Sequence, residues 1–317
     1  MILFYTNCEK EIDINLPAPE NAVVVEGHIE NDMPPYVLLT KNSAFFGGIN
    51  LNDLAAYFIS GASVKVIHQQ DTITLKEYNY TNIDEMSDSL REKIIFLMGL
   101  SVVDTSSSNI LDGFALATIY TIDESVNPNF VGALGGTYQL LIEVDGETIT
   151  STTTIPAYTV GFDSLWIESH PNADYADEYF QLYGFLNDPN TTEFYRYFTF
   201  SQKTSLLISD NSVFDDAFFN GQRFEIFIPK GRRIGNNSND ETGFDETNGY
   251  WNNNDSILNV KLCIIDKPHY DFWRTLESSR NSQGNPFGSF VYVKSNIIGG
   301  LGIWGGYATR TQSYYRY

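Results

Sequence analysis

Gly135–Ile155 reads GGTYQLLIEVDGETITSTTTI, and this stretch decides the fold class. Tyr138, Leu140, Ile142 and Val144 recur at every second position, which places them on one face of an extended strand. Asp145-Gly146 supplies the positive-φ pair of a tight hairpin, and the Thr-rich return over Glu147–Ile155 suits a pleated surface. Pro156 ends the run because it has no N–H to give to a ladder.

The same signals recur upstream. Val23-Val24-Val25 and Tyr36-Val37-Leu38-Leu39 flank the breaker Pro34-Pro35, and Ser63–Ile67 and Thr72–Leu75 flank the polar turn Gln69-Gln70-Asp71. Turn-linked strands of this length predict an immunoglobulin-like β-sandwich over residues 16–156. Asn50–Ser60 reads as a short helical or looped insertion. Residues 78–130 show no clear period around the apolar run Ile94–Val103.

Beyond Pro156 a second β-rich domain is expected over residues 157–317. Asp163–Glu168 and Glu178–Leu186 begin it. Phe194–Phe200 is aromatic at nearly every position, so both faces of that strand need cover. Asn220-Gly221 reads as a hairpin turn with Arg223–Ile228 as the return strand. One short helix is expected over Pro268–Ser279, where Tyr270, Trp273 and Leu276 recur at helical spacing, Pro268 fits a first turn, and Ser278-Ser279 closes it. After Pro286 the chain becomes extended again. Gly299-Gly300 and Gly305-Gly306 then bracket Leu301–Trp304 in a final strand whose Trp304 and Tyr307 close the core under the helix. The whole chain is therefore read as mainly β.

With 40 Asp and Glu against 19 Lys and Arg, the net charge of −21 repels nucleic acid. Such a surface suits an exposed domain kept in solution by charge. Two Cys among 317 residues write no disulfide framework, and Cys263 lies in a strand-like run where a lone thiol is inert. The four His, at 28, 68, 170 and 269, form no ligand doublet, and no nucleophile elbow or phosphate-binding loop is present. No catalytic residue, metal or cofactor is expected. The carboxylate pairs Asp84-Glu85 and Asp215-Asp216 are what so acidic a chain produces by composition.

Met1–Tyr5 is apolar, and Cys8 is followed at once by Glu9, Glu11 and Asp13. This resembles the end of a lipoprotein signal peptide cut before a lipid-bearing Cys8. The apolar run is short and lacks a charged start, so the true translation start is expected upstream of Met1. Residues 1–15 are read as signal remnant, anchor and acidic linker, with the membrane reached by lipid alone.

The polar stretch 235–255 embeds Phe244, Tyr250 and Trp251. With Trp304 these are the candidate contacts for a ligand or partner. Helix 268–279 and loop 235–255 are the candidate contact surfaces.

Several separated blocks carry a resemblance. They are CEKEIDINLP from Cys8, VVVEGHIENDMPPYVLLTKNSAFF from Val23, YDFWRTLE from Tyr270, GNPFGSF from Gly284 and VKSNIIGGLGIWGGY from Val293. Together they resemble the domain of unknown function 4249 family. The resemblance implies a surface lipoprotein of the Bacteroidota outer membrane, facing outward, which serves a TonB-dependent receptor as an accessory or substrate-binding partner. Other classes that fit a β-rich surface protein are a glycan-binding module or carbohydrate-active enzyme stacking sugar on Trp251 or Trp304, and a structural subunit of a secretion or adhesion machine.

Overall fold

In the computed structural model, residues 22–41, 57–79, 81–99, 117–202, 204–232, 246–282 and 291–316 are described. The expected hairpin forms β7 (Thr137–Val144) and β8 (Glu147–Thr154), paired from Thr137↔Thr154 to Val144↔Glu147. Asp145 and Gly146 have φ of 51° and 84°, as a hairpin turn of this type requires. Tyr138, Leu140, Ile142 and Val144 are all buried. With β3 (Ser63–His68) and β4 (Asp71–Thr74) the hairpin makes an antiparallel sheet of order β4-β3-β7-β8.

That sheet packs on an eight-stranded one through a shared core containing Val25, Leu39, Val66, Leu140, Ile149 and Trp304. The larger sheet takes β1 (Val23–Glu30), β2 (Tyr36–Lys41), β5 (Lys76–Tyr78) and β6 (Ile119–Thr121) from before Pro156. From after Pro156 it takes β11 (Phe194–Ser201), β12 (Val213–Asp215), β15 (Ile257–Ile265) and β16 (Leu301–Tyr315). The seam is a parallel pairing of β1 with β16, from Val24↔Leu301 to Glu30↔Tyr307. The two halves read on either side of Pro156 are thus joined by continuous backbone hydrogen bonding. A third sheet is built on β10 (Tyr179–Asn187), which pairs β9 (Phe162–Ser169), β13 (Arg223–Ile228) and the short β14 (Trp251–Asn252).

Trp304 lies opposite Gly27 across the seam. A Cβ at Gly27 would stand 2.5 Å from the indole, so only glycine lets the ring lie flat on β1. The indole N–H donates to Tyr138 O at 3.0 Å, tying β16 to the hairpin sheet. Trp304 and Tyr307 are both buried, as the sequence implied.

Three features differ from the sequence reading. A helix, α1 (Asp88–Leu97), occupies part of the stretch without a clear period; Ser87 caps it by accepting from Leu90 N, and Leu90, Ile94 and Leu97 are its buried face. With the helix expected in the C-terminal half, two α-helices are described. The C-terminal helix, α2 (Lys267–Ser282), runs past the Ser pair. Ser278 and Ser282 turn their hydroxyls back onto Arg274 O and Ser279 O, so the serines are satisfied within the helix rather than breaking it. Asn220-Gly221 is a turn but not a hairpin: β12 before it belongs to the eight-stranded sheet, while β13 after it pairs with β10. The insertion at Asn50–Ser60 lies mostly outside the described residues.

Candidate functional site

β1 reads VVVEGHIE, and its alternation divides the residues between two environments. Val25 and Ile29 face the sandwich core, while Glu26, His28 and Glu30 face the other side, together with Ile303 and Tyr307 of β16. Period-2 polar residues of this kind ordinarily mark a solvated face. Here α2 lies over that face, burying Tyr270, Phe272 and Trp273 against it.

The covered face holds a cluster of ionisable groups. Glu30 Oε2 accepts from Lys261 Nζ at 2.5 Å and lies 2.9 Å from His28 Nε2, all three being buried. The His28 ring stacks between Tyr36 and Tyr307, with centroids at 5.3 and 4.3 Å. Burial by itself would raise the Glu30 carboxyl, but the Lys261 ammonium and the His28 contact outweigh it and hold the pKa at about 2. His28 is shifted down, chiefly by burial. His269 of α2 packs edge-on against Tyr307 at 4.4 Å, and neither of its ring nitrogens makes a hydrogen bond of good geometry. Burial and nearby Arg196 keep it well below the ordinary value.

Both imidazoles are therefore neutral in the fold, whereas in the unfolded chain they take up protons near pH 6.5. The unfolded state binds more protons below that pH, so stability falls as pH drops through it. Glu30 adds a second loss as pH falls from about 4.5 toward about 2. Urea titrations of His269→Leu should show a shallower decline than wild type between about pH 6.5 and 5. Parallel curves would mean that His269 takes no part.

Next to the cluster, and sharing its wall, is a cavity of about 510 Å³. Its floor is β1, β11 and β16, its roof is α2, and the end of α1 with residues 292–295 and Leu206 completes it. Most of the wall is apolar, including Leu97, Phe272, Leu276 and Ile303. Glu26 projects into this space from the middle of β1. Its side chain is exposed to the cavity, yet protein surrounds the cavity closely enough for desolvation to raise its pKa against the pull of Arg196 and Arg280.

Arg196 of β11 is 2% exposed. It donates from Nη1 to Tyr307 Oη at 2.7 Å and from Nε to Ser212 Oγ at 3.2 Å, and Ser212 in turn donates to Glu277 Oε1 at 2.5 Å. Its guanidinium carbon lies 3.5 Å from the Trp273 ring centroid and 4.7 Å from that of Phe198. Nη2 has no acceptor, and no carboxylate of the described residues forms an ion pair with this side chain. A buried guanidinium without a contacting anion is costly, and such groups cluster at binding sites.

The family was identified by comparison. A family model described as a domain of unknown function (DUF4249) matches residues 9–313. The chain belongs to this family. Among curated proteins no sequence matches. The DUF4249 description assigns no chemistry, so the site is argued from its own residues.

In this DUF4249 chain the residues singled out from sequence do not come together. Trp304 is fully buried at the seam, and Trp251, also fully buried, lies under Lys230 at the third sheet. Tyr250 is half-buried, accepts from Gln181 Nε2 at 2.8 Å and packs at a tilt against the His170 ring. Phe244 and Cys8 lie outside the described residues, as does most of loop 235–255. The contact surface proposed on α2 is the roof of the cavity. Asp215 accepts from Tyr270 Oη and Asp216 from Glu193 N, so both carboxylates hold the fold together. Cys263 is buried with its thiol pushed up to about 12, which makes it a poor nucleophile. Among the described residues no three His, Cys, Asp or Glu gather as a metal site, and no described helix is long and apolar enough to cross a membrane.

Glu26, His28 and Arg196 were missed from sequence. The alternation of β1 was the available signal for the first two. Arg196 stood in an aromatic strand whose two faces had to be covered, which makes a cation there an anomaly that could have been followed.

Proposed function

We propose that this DUF4249 chain is a non-catalytic binding module, and that the cavity between α2 and the eight-stranded sheet is its ligand site. One observation carries the reading: a 2% exposed arginine without a carboxylate partner stands on the wall of an apolar space of about 510 Å³. Space of that size, with apolar walls and a few convergent polar groups, is what small-molecule sites are made of. Binding is preferred over catalysis because neither the imidazole nor the thiol of this covered face is free to act. His28 is engaged with Glu30, and the Cys263 thiol is held protonated.

In the same proposal the module is a Bacteroidota lipoprotein anchored through Cys8 to the outer membrane, facing outward, and it serves a TonB-dependent receptor as an accessory or substrate-binding partner. The apolar-to-acidic boundary at Cys8, the net charge of −21 and family membership support this. A glycan reading through Trp251 and Trp304 finds less support, since neither ring has an exposed face on which a sugar could stack.

A pull-down from detergent-solubilised outer membranes, with Cys8→Ala alongside, tests the partnership. A barrel transporter recovered with the wild-type protein and depleted with the variant is the expected result. Recovery of no barrel protein with either form would refute it.

A further inference from the structure

The wall of the cavity reverses the charge balance of the chain. The sequence has 40 acidic residues against 19 basic ones, yet among the described residues lining the cavity Glu26 is the one carboxylate, while Arg196, Arg280 and Lys294 are cations. Arg196 is buried and committed to Tyr307 and Ser212, so it adds its field but no contact. Arg280 and Lys294 are exposed and can touch a ligand. Arg280 forms no ion pair with a described residue. Lys294 shares Asp271 with Lys267, at 2.9 and 2.7 Å, so one carboxylate there faces two ammonium groups.

The two cations lie on one rim. Lys294 N donates to Thr275 Oγ1 at 3.0 Å, which holds the segment 292–295 along α2, and Arg280 follows Thr275 by about one and a half helical turns. Tyr292 on the same wall is 83% exposed, so the cavity meets solvent here. Leu97, Phe198, Leu206 and Ile303 are buried and supply an apolar wall. Cations at the opening of an apolar space, in an otherwise acidic protein, suit a molecule with a negative charge and an apolar body. Glu26 on the floor is within electrostatic reach of Arg280 and competes for it, which favours one negative charge on the ligand over two.

We propose that the cavity binds a monocarboxylic acid with an apolar body, its carboxylate held at the opening by Arg280 and Lys294. An alkanoate and an N-blocked apolar peptide with a free C-terminus share that chemistry. The proposal rests on the reading of the cavity as the ligand site.

Calorimetry on the full chain tests it, with decanoate, 1-decanol, decylamine and N-acetyl-Leu-Phe as probes. The tighter of decanoate and the blocked peptide identifies the source. Decanoate is expected to bind at least about tenfold more tightly than decanol, because hydrogen bonds between charged groups are the stronger kind, and decylamine should bind least. Arg280→Gln combined with Lys294→Gln should remove the preference for decanoate while leaving decanol binding unchanged. Both side chains are exposed, so this variant is expected to fold as wild type does. Glu26→Gln should tighten decanoate several-fold and leave decanol unchanged, since the competing carboxylate is gone.

Equal binding of decanoate and decanol, tighter binding of decylamine, a preference that survives the double substitution, or weaker binding of decanoate to Glu26→Gln would overturn the assignment and leave the cavity as a ligand site. If no probe binds, both readings fall.

Discussion

Trp304→Ala is expected to lower the free energy of unfolding by roughly 3–5 kcal/mol, the usual cost of removing a large buried aromatic. The indole is fully buried, lies flat on Gly27 across the parallel seam, and donates to Tyr138 O in the facing sheet at 3.0 Å. Its loss leaves a cavity between two layers and an acceptor without its donor. Because Gly27 and Tyr138 are backbone-held neighbours, the space has little freedom to collapse. Urea unfolding followed by far-UV circular dichroism measures the effect, with Trp304→Phe expected to fall between the two. A midpoint close to wild type for the alanine variant would contradict the packing described for the seam.

A comparable loss, about 3–5 kcal/mol, is expected for Lys261→Met. Lys261 and Glu30 are 2% and 3% exposed, and their contact is 2.5 Å. Without the ammonium, Glu30 is a buried carboxylate with only His28 beside it, and its pKa must rise from about 2. The effect should therefore shrink when Glu30→Gln is added, because the orphaned charge is then gone. Additive losses in a double-mutant cycle would show that the two residues act separately.

The sandwich hairpin was legible in the sequence because two independent signals agreed there, the period-2 apolar face of β7 and the positive-φ pair Asp145-Gly146. Helix α1 was not, because its buried residues Ile94 and Leu97 run into Phe96 and Met98, and a continuous apolar run carries no period. Asn220-Gly221 shows a different gap. Turn chemistry specifies the bend of the chain, and it does not say whether the next strand returns to the same sheet or passes to another.

The candidate site was the least legible part. Glu26, His28 and Glu30 alternate on β1 as solvated residues would, and the helix that covers them starts at Lys267, more than two hundred residues away. Non-local cover of this kind leaves no trace in a local pattern. The prominence of Trp251 and Trp304 in the sequence was a packing signal in both cases, since large aromatics also dominate cores.

The central claim is that the space between α2 and the seam admits a ligand. Titration with 1-anilinonaphthalene-8-sulfonate, followed by energy transfer from tryptophan, tests it directly, since Trp273 forms part of the cavity wall. The expected result is saturable binding of a single equivalent per chain, abolished by Leu276→Trp, which fills the space, at an unchanged melting temperature. Absence of saturable binding, or equal binding by the filled variant, would contradict it.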